Sequence, residues 1–94
     1  MEVVVFHQKE KSRFMATVRG KEAFMKYARP EDQVLEVVST FIPAELRGQG
    51  IACQIATFAC QYAQTKQLKL RVTCPYLSQF LENNPAVYSI VKPA

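Results

Sequence analysis

Ninety-four residues, 49% hydrophobic and 21% charged, with no low-complexity tract and no internal repeat, describe one folded domain over 1–94 and exclude a disordered chain. The formal charge of +4 and pI near 9.1 come from scattered Lys and Arg. That excess suits a small anionic ligand or simple solubility at least as well as nucleic acid, for which no aromatic-studded basic strand or known module is present.

Cys53, Cys60 and Cys74 are odd in number, and the first two lie two helical turns apart, roughly 10 Å, beyond disulfide reach. A single histidine, His7, and the absence of a Cys-x-x-Cys pair argue against a metal site. No secretory leader and no apolar run near 18 residues can be seen, so the chain reads as soluble and intracellular, with the cytoplasm as its expected place.

In chain order, residues 2–7 read as a short strand and 8–12 as a polar turn. Phe14-Met15-Ala16-Thr17-Val18-Arg19 and Ala23-Phe24-Met25-Lys26-Tyr27 flank Gly20-Lys21 as a hairpin, and Arg29-Pro30-Glu31-Asp32 reads as the next turn. Residues 34–42 are rich in β-branched side chains and form a fourth, mostly buried strand that Pro43 closes.

A helix is expected from Arg47 or Gly48 to Lys66, because Ile51, Ile55, Phe58 and Tyr62 recur at helical spacing beside a stripe of Ala52, Ala56, Ala59 and Ala63. Cys53 and Cys60 then fall opposite the Ile51/Ile55/Tyr62 stripe, not pointed at the loop that opens the helix, and receive no chemistry. Leu68-Lys69-Leu70-Arg71-Val72-Thr73 alternates as a half-buried fifth strand, parallel to the fourth through a right-handed crossover. A short helix follows from Tyr76 to Asn83, stopped by Asn84-Pro85, and 87–91 supply a last strand or an apolar tail packed on the sheet. The architecture is α+β (mixed α/β): an antiparallel meander leading into one βαβ unit, with a short C-terminal helix.

Function collects at the junction of the fourth strand and the long helix. A loop that opens a helix directly after a strand points unpaired backbone N–H groups, and the positive end of the helix dipole, at one spot where phosphate binds well. Arg47-Gly48-Gln49-Gly50-Ile51-Ala52 occupies that place, with two of the three glycines of the chain. Cys74, at the carboxyl end of a parallel strand, lies where ligands and reactive groups collect in such sheets, although a small buried thiol is the alternative reading.

The same six residues resemble the Arg/Gln-x-x-Gly-x-Gly/Ala signature of the GNAT acetyltransferase superfamily. The chain resembles more narrowly its minimal single-domain members, from Phe14 to about Lys92: the Gly20-x-x-Ala23 hairpin with Tyr27, Thr40-Phe41-Ile42-Pro43, and Cys74-Pro75-Tyr76 followed by Phe80 and Asn84-Pro85. The resemblance implies a minimal GNAT fold that binds acetyl-CoA and transfers acetyl to an amine, either a small molecule or a protein amino group.

It also assigns roles. Arg47, Gly48, Gln49, Gly50, Ile51 and Ala52 would hold the pyrophosphate, and Phe41 and Ile42 would offer main-chain groups to the pantetheine arm. Cys74 would carry a transient acetyl thioester or line the pocket, and Tyr76 would protonate the departing CoA thiolate. The family often has His before the Thr of the fourth strand and Pro two residues before the cysteine; this chain has Ser39 and Val72. Two alternatives stand beside the enzyme: a CoA-binding module without turnover, and a basic interaction domain.

Overall fold

The computed structural model describes residues 3–89 and 91–93, with Tyr88 through its backbone alone. In chain order come β1 (Phe6–Gln8), a 3-10 turn (Lys9–Lys11), β2 (Arg13–Val18), β3 (Lys21–Glu31), β4 (Val34–Phe41) and a second 3-10 turn (Ala44–Leu46). Then follow α1 (Ile51–Thr65), β5 (Lys69–Val72), α2 (Pro75–Asn83), α3 (Pro85–Tyr88) and β6 (Lys92–Pro93). The strands form one sheet in sequence order, antiparallel from β1 to β4 and parallel from β4 to β6. This is the meander and βαβ unit expected from the hydrophobic pattern, a mixed α+β fold.

Four boundaries differ from the expectation, each for a local reason. Met1 and Glu2 lie outside the described residues, and the first strand begins only at Phe6. The Val3 N–H instead donates to Gln54 Oε1 at 2.9 Å, tying the segment to α1, and Val3 and Val5 pack against the core. The turn expected at Arg29-Pro30-Glu31-Asp32 comes later. A register shift between Ala28 and Glu31 leaves Pro30 out of the ladder, where its missing N–H costs nothing, so β3 runs through it.

The long helix starts at Ile51 rather than Arg47 or Gly48, because Gly48 and Gly50 both hold φ at +77° and the chain cannot wind until it has passed them. At the other end, Asn84-Pro85 stops α2 but Pro85 opens a further helical turn, as proline can at a first helical position. The strand reading of 87–91 is therefore corrected. Val87 and Val91 do pack on the core as an apolar tail, while Ile90 and the Tyr88 side chain lie outside the described residues.

The early end of the β4–β5 ladder opens the sheet beside α1. β4 pairs with β3 as far as Phe24↔Phe41, but with β5 only from Val34↔Lys69 to Val37↔Val72. A bulge sets Val38 between the pairs Tyr27↔Val37 and Lys26↔Ser39, and bulges bend a strand and raise its twist. The Val37 carbonyl then accepts from Thr73 N–H, Cys74 N–H and Thr73 Oγ1 at 3.2, 3.2 and 3.1 Å, closing the β4–β5 ladder. Residues 38–41 run on without a β5 partner, so the two strands splay.

The core lies between the sheet and the helices. Phe14, Ala16 and Val18 of β2, Ala23, Met25 and Tyr27 of β3, and Leu35 and Val37 of β4 meet Ile51, Ile55, Ala56, Ala59, Cys60 and Ala63 of α1, with Leu77, Phe80 and Leu81 of α2 in the same cluster. The alanines let α1 sit close to the sheet. As a result the buried face of α1 is centred on the small residues, and the larger Phe58 and Tyr62 are only half-buried at its edge. Among the described residues no helix is long and apolar enough to cross a membrane.

His7 closes one end of this core, its Nε2 2.7 Å from the Tyr27 hydroxyl and its ring against Phe14 and Tyr62. Burial, then the charge of Lys9, lowers its pKa, with Glu10 opposing and Lys66 adding a little. A proton therefore binds the unfolded chain before the folded one, so this contribution to stability is full above about pH 6.5 and is lost as pH falls below it. The urea midpoint is expected to drop between pH 7.5 and pH 5.5, and His7→Gln to flatten that dependence. An unchanged slope in the variant would remove His7 as the cause.

Candidate functional site

The splay of β4 from β5 opens into a cavity of about 380 Å³, a volume in the range of ligand pockets. Thr40 and Ile42 line it from β4 and the segment after it, Leu46, Arg47, Gly48 and Gly50 from the loop, Ile51, Ala52 and Cys53 from the first turn of α1, and Tyr76 from α2. A larger depression of about 620 Å³, walled by Glu31, Asp32, Gln33, Val34, Lys69 and Arg71, lies at the other end of β4. It is polar and crossed by the Arg71–Glu31 ion pair at 3.7 Å.

The loop side of the smaller cavity carries backbone donors left free at the helix start. Gly50 is the N-cap of α1, which has no side-chain cap and no acidic residue in its first turn. Among the described residues the N–H groups of Gly48, Ile51, Ala52 and Cys53 have no hydrogen-bond partner. Orphan donors of this kind, together with the helix dipole, favour a phosphate group. A Cβ added at Gly48 or Gly50 would meet nothing within 4 Å, so both glycines border open space. The residues present fit a diphosphate.

The expected cofactor residues separate into three groups. Arg47, Gly48, Gly50, Ile51 and Ala52 stand on the wall together with Ile42. Arg47 Nε donates to the Ile42 carbonyl at 3.1 Å, which holds its exposed guanidinium at the cavity mouth. Gln49 is turned into the loop: its Nε2 donates to the Glu45 carbonyl at 2.9 Å and its Oε1 is buried without a partner among the described residues. Phe41 is not on the wall; its side chain, 49% exposed, lies against Phe24 with ring centroids 5.3 Å apart.

The two residues expected to do chemistry are placed differently. Tyr76, 38% exposed, stands on the cavity wall. Burial, then the neighbouring Cys53 and Cys74 thiols, raises its pKa, so its hydroxyl remains a proton donor across the physiological range. Cys74 is 3% exposed and lies behind the wall at the N-cap of α2, with Sγ 3.2 Å from Thr40 Oγ1.

The sequence pattern missed Cys53 and Thr40. Cys53 is exposed and on the wall, because the first turn of α1 itself borders the cavity; the reading that turned it away from the helix start is corrected. Cys60 is in the core instead, its thiol pushed up to about 11 by burial. Among the described residues no group of three or more His, Cys, Asp or Glu is placed to hold a metal.

A sheet whose parallel pair splays beside an uncapped helix start, with Arg47 and two glycines between, defines an α+β protein with a candidate anion cradle. The model of the GCN5-related N-acetyl-transferase family matches residues 13–91. The chain belongs to that family, whose general chemistry is acetyl transfer from acetyl-CoA to an amine.

Protein NATD1 of Bos taurus is 28% identical to it over 83 residues, which are 86% of this chain and 74% of that protein. Protein NATD1 of Danio rerio is likewise 28% identical over 83 residues, covering 86% and 76%. The solution structure of a GCN5-like protein from Staphylococcus aureus superposes with a TM-score of 0.74 at 16% identity, covering 98% of this chain and 90% of the other, a likeness of fold.

Proposed function

We propose that residues 1–94 form one N-acetyltransferase-like domain that binds acetyl-CoA in the splay cavity and passes its acetyl group to a small-molecule amine or a protein amino group. The observation that carries this reading is that Thr40 and Ile42, beyond the last β5 pair of β4, and the orphan N–H groups at the start of α1 border the same cavity. The N–H groups from Gly48 to Cys53 and the Arg47 guanidinium hold the diphosphate. The free edge of β4 near Phe41 and Ile42 receives the pantetheine arm as an added strand. When bound, acetyl-CoA supplies the activated acetyl thioester.

The remaining chemistry belongs to the chain. Tyr76 keeps its proton and stands on the wall, so its hydroxyl is the group that hands a proton to the departing thiolate. The apolar wall of Ile42, Leu46 and Ile51 excludes water from the thioester. A second reading, CoA binding without turnover, is favoured by one observation: Cys74 is buried and is not on the cavity wall. Release of free CoA from acetyl-CoA in the presence of an amine panel separates the two.

Thermal unfolding with CoA tests both. A ligand that binds only the folded state adds about 2.7 kcal/mol at 100 times its Kd, and each kcal/mol moves the midpoint of a domain this size by about 4–8 °C. A rise of roughly 10 °C or more is expected at saturation. No rise at millimolar CoA would remove both readings together.

A further inference from the structure

The buried Cys74 thiol and the cavity meet through one side chain. Thr40 lines the cavity and its Oγ1 lies 3.2 Å from Cys74 Sγ. Both partners are fixed by backbone. Thr40 is held in the β3–β4 ladder opposite Met25, beyond the point where β5 leaves β4. Cys74 is held by its own N–H, which donates to the Val37 carbonyl at 3.2 Å, and by its carbonyl, which accepts from Ser78 N–H at 3.2 Å. The hydroxyl and the sulfur therefore face each other across the throat of the splay, and neither backbone needs to move for them to do so.

Resting on the proposed acetyl-CoA site for its catalytic meaning, we infer that Thr40 is the positioning residue of Cys74: its hydroxyl holds the sulfur toward the cavity and donates to it when the thiol ionises. A hydrogen bond to a charged acceptor is the strong kind, and an isosteric group without the hydroxyl leaves the ion unpaired in a dry site. Because only the thiolate is a nucleophile, loss of this donor slows every reaction at Cys74. In acetyl loading, the Cys74 proton goes to solvent, its sulfur bonds the acetyl carbon, and the carbon–sulfur bond to CoA breaks. CoA leaves as a thiolate and takes up a proton.

Thr40→Val keeps the shape and so the access to Cys74, and Thr40→Ser keeps the donor. The first measurement needs no cofactor: peptide-resolved alkylation of the native protein by iodoacetamide. Cys74 is expected to react about tenfold more slowly in Thr40→Val, with Thr40→Ser restoring the rate to within about twofold. The exposed Cys53 serves as the internal standard, unchanged in all three proteins. The second measurement is acetylation of Cys74 by acetyl-CoA at concentrations that saturate each protein, with the same order expected. Equal Cys74 alkylation in wild type and both variants, or loss of rate in Thr40→Ser as well as in Thr40→Val, overturns the assignment. If CoA fails to bind the wild type, the cofactor reading falls alone, because the alkylation series still decides the role of Thr40.

Discussion

Gly50→Trp is expected to abolish CoA binding while leaving a folded protein, and Gly20→Trp to leave binding intact. The two glycines make a matched pair. Each holds φ at +77°, and a Cβ at either would meet nothing within 4 Å. An L-residue forced into that left-handed region costs about 1–2 kcal/mol, a loss that a domain of about 5–15 kcal/mol survives. The backbone cost is thus the same at both sites, and only the location differs. Gly20 is in the β2–β3 hairpin turn, whereas Gly50 caps α1 and lines the cavity, so an indole there fills the place where the N–H groups of Ile51, Ala52 and Cys53 converge. Calorimetric titration with CoA should show a loss beyond 100-fold for Gly50→Trp against less than about twofold for Gly20→Trp. Similar affinities in the two variants would take the cradle out of cofactor binding.

That pairing also marks how far local signals reach. The strand-to-helix junction could be read because its cues are adjacent in the chain: a β-branched run to Ile42, a proline, two glycines and then helical periodicity. The order of the first five strands could be read for the same reason, since hairpins and the α1 crossover join neighbours; the second crossover, to Lys92–Pro93, could not. What periodicity could not supply was the depth of α1. It weights large residues, and the stripe of Ile51, Ile55 and Tyr62 drew the buried face too far to one side, when alanines and Cys60 were the residues pressed to the sheet. Cys60 was misplaced by that displacement, whereas exposed Cys53 reaches the wall because the first turn of α1 itself borders the cavity.

Thr40 escaped for a different reason. Its partner Cys74 is 34 residues away, and their meeting depends on a bulge at Val38 that no residue type announces. Pro30 misled in the opposite sense. Proline marks a turn only where the ladder needs its N–H, and the register shift beside it removes that need. Cys74 was correctly placed at the end of β5 in the chain, yet its distance from the cavity wall was set by the close of the β4–β5 ladder on the Val37 carbonyl, a tertiary event.

Phe14→Ala should be the most destabilising single truncation in the aromatic cluster, and it should weaken the cradle as well. Phe14 is 0% exposed, and its ring lies 4.7 Å from His7, 5.1 Å from Tyr27, 5.4 Å from Tyr62 and 5.6 Å from Phe58, centroid to centroid. It therefore joins β1, β2 and β3 to the middle and last turns of α1. Removing a fully buried Phe side chain costs about 3–5 kcal/mol, which at about 4–8 °C per kcal/mol lowers the melting midpoint by roughly 12–40 °C. Phe41→Ala, half-exposed against Phe24, should cost under about 1 kcal/mol and serves as the comparison. The functional consequence follows from the geometry of the helix: the cluster pins α1 to the sheet at Phe58 and Tyr62, and the cradle is the other end of the same rigid rod. A loosened rod blurs the convergence of its first N–H groups, so CoA affinity should fall in Phe14→Ala although no atom of Phe14 lines the cavity. The cavity left by the ring also admits water to His7, so its pKa should move back toward 6.5 and the acid-induced loss of stability should shrink. Urea unfolding at pH 7.5 and 5.5 reads both effects at once. A cost below about 1.5 kcal/mol, or a pH dependence as steep as that of the wild type, would show that the ring neither holds the helix nor dries the histidine.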